Sequence, residues 1–174
     1  MAHDSCNASK HVTQLIEEFQ ENNNVYLVTK KASCGNLYDY QKAQPDPRLP
    51  ERLVRGIFQQ IACGVQDIHE QEIVHRDLKH MNILVSDKDR PSGPKIKITD
   101  FGLAMKVPTN DFFVSHGRGT PGFMAPEVIL QKPCNSKIDI WGLGVMLYGL
   151  LFATLPFVGK NDKQINHATL NSPL

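Results

Sequence analysis

The chain has 174 residues, 41% of them hydrophobic, enough to build one domain around a sizeable core. Nineteen Lys and Arg against eighteen Asp and Glu give a formal charge of +1, which offers nothing to draw the chain to nucleic acid or to an acidic membrane. The four cysteines, Cys6, Cys34, Cys63 and Cys134, lie far apart with no Cys-x-x-Cys pair, and the N-terminus is polar. Reduced thiols in an intracellular, cytoplasmic protein are the expectation.

In chain order, residues 11–19 mix apolar and polar positions and lead through a polar turn, Gln20 to Asn24, into Val25-Tyr26-Leu27-Val28-Thr29, rich in β-branched and aromatic residues. A β-hairpin is expected. Ser33-Cys34-Gly35-Asn36 interrupts it, Leu37 to Gln41 suits a short helix, and the prolines of Gln44 to Pro50 dictate a loop. The clearest helix follows. Val54, Ile57, Phe58, Ile61, Ala62, Val65 and Ile68 step by three and four and make one face apolar, while Pro50 and Glu51 suit a first turn. Ile83-Leu84-Val85 and Ile96-Lys97-Ile98 read as strands around the polar loop 86–94, a second hairpin that would gather Asp77, Asn82 and Asp100. From Ile140 to Phe157 no residue is charged, a run almost long enough to span a bilayer. Three glycines, Pro156 and the leading Asp139 favour a buried helix in a helical lobe over a membrane span.

Three motifs carry the chemistry, in order: His75-Arg76-Asp77-Leu78-Lys79-His80-Met81-Asn82, then Asp100-Phe101-Gly102, then Ala125-Pro126-Glu127. Asp-Phe-Gly alone is a weak signal, but the three at these distances are not. They resemble the catalytic loop, metal-binding triplet and activation-segment end of protein kinases. Gly119 to Glu127 and Lys79 are similar to the serine/threonine class, and the style of Asp139 to Phe157 resembles the calcium/calmodulin-dependent group.

The resemblance implies an α+β, protein-kinase-like fold, mostly the helical C-terminal lobe with a remnant of the small-lobe sheet. Residues 1–32 would form the end of the small lobe and the hinge, and 33–174 the C-terminal lobe. It also implies ATP-dependent transfer of phosphate to Ser or Thr of protein substrates. Asp77 would be the base for the attacking hydroxyl, Lys79 a cation on the moving phosphate, Thr120 their hydrogen-bond partner, and Asn82 and Asp100 the Mg2+ ligands. Thr29, at the gatekeeper position, Lys30, Ala32, Asn36 and Leu84 would frame the adenine and ribose. Asp139 would accept backbone N–H groups of the catalytic loop. His75, Phe101 and Leu15 match the hydrophobic column of active kinases, with His75 as a core histidine. Arg76 beside Asp77 suggests control by an upstream kinase acting on Ser115 or, second, Thr109.

No Gly-x-Gly-x-x-Gly loop or Val-Ala-Ile-Lys strand occurs in the sequence, which makes the chain look truncated at both ends. A catalytically inactive kinase-like scaffold that binds and regulates a partner is therefore the alternative. On either reading the isolated chain is expected to transfer phosphate slowly or not at all.

Overall fold

A computed structural model describes residues 9–87, 93–108 and 111–172. An antiparallel hairpin comes first, β1 (Leu15–Glu21) with β2 (Asn24–Thr29), paired from Leu15 opposite Thr29 to Glu21 opposite Asn24 with a register shift between Leu15 and Glu17. Its turn is shorter than the sequence suggested, only Asn22 and Asn23, both at positive φ (48° and 62°). A two-residue loop of that geometry follows the right-handed twist of the strands, and asparagine tolerates it. Residues 11–13 do not join β1. They lie along the second hairpin instead, with Thr13 N–H donating to Ile98 O at 2.8 Å and Ile98 N–H to His11 O at 2.7 Å.

Helix α1 (Leu37–Lys42) begins at Asn36, and the long α2 (Glu51–Glu70) follows the proline loop. The expected stripe faces inward: Val54, Ile57, Ile61, Val65 and Ile68 are all buried. Each such side chain stabilises the fold by about 1.5–3 kcal/mol relative to exposure. The stripe packs on β5 (Lys95–Ile98) and on α4 (Lys137–Phe152), around a core that includes Leu37, Ile83, Met146 and Leu150. β5 pairs with β4 (Ile83–Asp87), Ile83 opposite Ile98. Short strands complete the frame: β3 (Ile73–Val74) pairs with β6 (Met105–Lys106), and β7 (Phe113–Val114) with β8 (Pro133–Cys134). The remaining helices are α3 (Pro126–Ile129) and α5 (Asp162–Asn171). This is an α+β arrangement in which two-stranded sheets edge a helical core.

Helix α4 differs from the expected apolar run. It starts three residues earlier, stops at Phe152, and passes into Ala153 at φ 57°, ahead of Pro156, which could not have continued the helical bonding. One line along it, Ile140, Tyr148 and Phe152, stays exposed. No helix among the described residues is long and apolar enough to cross a membrane. Gly149 on the inner side has a packing reason, since a Cβ there would meet His80 Cε1 at 2.7 Å.

Burial, then the neighbouring Lys10, pushes the His11 pKa below its usual value; Lys97 and Lys95 act in the same sense and Asp67 opposes them. Folding thus favours neutral His11, and the unfolded chain takes up the proton first as pH falls. The His11 contribution is complete above about pH 6.5 and is lost on acidification below it. Urea unfolding of wild type and His11→Gln at pH 7.5 and 5.5 should show a smaller acid loss in the variant. Parallel pH dependences would remove His11 from the account.

Candidate active site

The loop after β3 is built on a buried carboxylate. Asp139, 2% exposed at the start of α4, accepts the His75 N–H at Oδ2 (2.8 Å) and the Arg76 N–H at Oδ1 (2.9 Å). His69, in the last turn of α2, places its Nε2 2.8 Å from the same Oδ2. These bonds hold Arg76 at φ 68°, a left-handed conformation costly for a long side chain. Further along, the Arg76 guanidinium donates to Leu103 O and lies 6.0 Å over the Phe113 ring. His75 is fully buried, with Nε2 3.0 Å from Thr99 O and its ring 4.9 Å from Phe101. It is a satisfied core histidine, as expected.

Held this way, Asp77 is the hub of a closed network. Thr120 Oγ1 donates to Asp77 Oδ1 at 2.6 Å, and Lys79 Nζ donates to Asp77 Oδ2 at 2.7 Å and to Thr120 Oγ1 at 2.8 Å. Asn82 Nδ2 donates to the Asp77 main-chain oxygen at 2.8 Å and to Oδ2 at 3.2 Å. Asp77 is only 9% exposed. Gly119 brings Thr120 in: at φ 140°, with a Cβ position 3.2 Å from Arg76 O, it admits no side chain. Each oxygen of an ionised carboxylate has two lone pairs, so Asp77 keeps acceptor capacity beyond these bonds.

The β4–β5 pairing carries the third motif to the same place. Thr99 N–H donates to Asn82 O at 3.0 Å, and the next residue is Asp100. Asp100 is exposed, at φ 64°, and its Oδ1 receives the Gly102 N–H at 3.3 Å. With the Asn82 amide nitrogen committed to Asp77, the amide oxygen remains for another partner. A side-chain amide oxygen and an exposed carboxylate one residue beyond its backbone partner form a hard-oxygen donor set. That set fits Mg2+, which keeps water and phosphate oxygens among its ligands. Among the described residues no group of three or more His, Cys, Asp or Glu could hold a metal ion.

The five expected adenine-site residues are less closely gathered. Asn36 bridges Leu84 across strands, but its side chain is already engaged. Its Oδ1 caps α1 by accepting the Asp39 N–H at 3.0 Å, and its Nδ2 donates to Asp39 Oδ2 at 2.8 Å. Thr29 ends β2 opposite Leu15, and the Lys30 N–H donates to Gln14 O at 2.9 Å. Lys30 and Ala32 line a cavity that Asn36 and Leu84 do not. Ser115 is 1% exposed, its hydroxyl 3.5 Å from Arg118 O, and Thr109 lies outside the described residues. Arg76 has Arg118 near enough to depress its pKa, second to burial. Sequence reasoning missed His69 and Arg118; neither belongs to a motif, and only the fold brings them to this loop.

The protein kinase domain family matches residues 1–173. Over 168 residues, 94% of this chain, it is 34% identical to Serine/threonine-protein kinase ULK3 of Xenopus laevis. It is 40% identical over 151 residues, 87% of the chain, to SNF1-related protein kinase catalytic subunit alpha KIN12 of Arabidopsis thaliana. Against Serine/threonine-protein kinase H2 of Homo sapiens it is 40% identical over 157 residues, 90% of the chain. The chain covers 35%, 29% and 40% of the lengths of these three relatives.

Proposed function

This chain belongs to the protein kinase family, among the serine/threonine protein kinases, and we propose that its site transfers the γ-phosphate of ATP to Ser or Thr hydroxyls of protein substrates. The observation that carries the reading is the closed Asp77–Lys79–Thr120 network with Asn82 at its back. A scaffold has no physical use for a buried carboxylate that receives three hydrogen bonds and still has a lone pair to spare.

In this reading the acceptor hydroxyl is oriented by Asp77, its oxygen attacks the γ-phosphorus, and its proton passes to the Asp77 carboxylate as the bond to the ADP oxygen breaks. Lys79, 2.7 Å from Asp77, stabilises negative charge on the moving phosphoryl group. Thr120 fixes both side chains and ties the loop to the segment before α3. Asn82 and Asp100 would hold Mg2+, which would supply positive charge to offset that of the phosphates. Lys30 and Ala32 offer backbone groups to adenine, Thr29 bounds it and Leu84 packs beneath it. Asn36 approaches the ribose only by exchanging its capping bond. Residues 1–32 form the end of a small lobe and the hinge, and 33–174 a C-terminal lobe. The calcium/calmodulin-dependent resemblance and a cytoplasmic setting belong to the same proposal. So does an upstream kinase acting on Ser115 or Thr109; reaching the 1%-exposed Ser115 requires its segment to open first.

One observation favours the scaffold reading. The β1–β2 hairpin leaves Ile16, Phe19, Val25, Tyr26, Leu27 and Val28 exposed, an apolar surface that a partner could cover. The deciding test is phosphorylation of a degenerate Ser/Thr peptide library by the natural polypeptide that carries this sequence, with Mg2+ and with chelator. Mg2+-dependent phosphate on Ser or Thr is the expected result. Absence of transfer, with the protein folded, replaces the enzyme by the scaffold.

A further inference from the structure

Away from the Asp77 network, four lysines from distant parts of the chain share one cavity. Lys30 and Lys31 follow β2, and Lys95 and Lys97 come from β5; together they line a space of about 310 Å³. Among the described residues Asp87 is the one carboxylate in that lining, which leaves them a formal excess of three positive charges. Lys97 is part-buried, its Nζ giving a hydrogen bond to Val12 O at 3.2 Å. Burial, then Lys95 and Lys30, push its pKa down, so these charges are close enough to repel.

We propose that this cavity is an anion site for a compact, multiply charged phosphate compound, bound by the ammonium groups of Lys30, Lys31, Lys95 and Lys97. Chemistry and size decide the class. Ammonium groups are point charges suited to phosphate oxygens, and at about 30 Å³ per water the space holds a pyrophosphate or a sugar phosphate rather than a folded segment. None of Asp77, Lys79, Asn82 and Asp100 lines the cavity, and Lys30 and Ala32, which do, enter the kinase reading through backbone groups alone, whereas the anion site uses lysine side chains. It therefore goes beyond the proposed kinase reading and survives that reading's failure.

Calorimetric titration of the 174-residue chain with inorganic pyrophosphate, in chelator so that no metal-dependent phosphate site contributes, tests it. Saturable binding is expected, weakened by added salt as solvent-reachable charges require. The double variant Lys31→Gln/Lys95→Gln changes two exposed side chains outside the transfer network, and it should weaken binding by about tenfold or more. Absence of saturable binding at millimolar pyrophosphate would overturn the site. So would equal binding by the double variant, or binding abolished by Asp100→Asn.

Discussion

Asp139→Ala is expected to lower the free energy of unfolding by about 3 kcal/mol, the largest stability effect of any single side chain around the catalytic loop. The carboxylate accepts two main-chain N–H groups, those of His75 and Arg76, and touches His69 Nε2. His75 is fully buried, so water cannot replace the lost acceptor without opening the loop. Each buried donor left unpaired costs about 1–3 kcal/mol, and Arg76 at φ 68° adds strain that only these bonds hold in place. Asp139→Asn should recover part of the loss, because one amide oxygen can serve one N–H while the NH2 end opposes the other. Urea unfolding gives the magnitude, and amide hydrogen exchange at residues 75–77 gives the location. A loss below about 1 kcal/mol, or unchanged exchange at those amides, would show that the loop stands without the carboxylate.

How much of this was readable beforehand varied with the range of the interaction. The α2 stripe was fully legible because burial on one face imposes a period that the chain itself displays, from Val54 to Ile68. The β4–β5 hairpin was legible for the same reason at period two. Asn22-Asn23 carried a two-residue turn signal that the broader polar run 20–24 concealed, and the strand therefore ran two residues further than expected. Asn36 carried two competing signals. Its place three residues before Asp39 marks a helix cap, and the structure spends the side chain there. The exact end of α4 was not legible in the uncharged run, because absence of charge says nothing about where a helix stops; Ala153 in the left-handed region sets the stop. Nothing local announces His69 against Asp139, seventy residues away, or Lys30 and Lys31 beside Lys95 and Lys97. Such groupings exist only once topology has placed the segments.

Asp77→Asn is expected to lower Mg2+-ATP-dependent phosphorylation by the natural polypeptide by about 10²–10⁴-fold, with the fall in kcat rather than in KM for ATP. The substitution is nearly isosteric, so the effect lies in proton acceptance and charge. An amide oxygen can still accept the Thr120 hydroxyl that now lies 2.6 Å from Oδ1. The NH2 group then faces Lys79 Nζ, which loses its 2.7 Å carboxylate partner and with it the position that stabilises the phosphoryl charge. Asn82 Nδ2, 3.2 Å from the same oxygen, is opposed as well, but its stronger 2.8 Å bond to the Asp77 main-chain oxygen survives. Asn82 therefore keeps its orientation, and ATP affinity should change little. Thr120→Val separates positioning from proton transfer, because it removes the hydroxyl that ties Asp77 to Lys79 while leaving the carboxylate. It should lower kcat by a smaller factor than Asp77→Asn without changing ATP binding. If Asp77→Asn kept more than about a tenth of wild-type transfer, Asp77 would not be the base. If both variants lost ATP binding, the network would be holding the nucleotide site together, and its claim to the chemistry would fall.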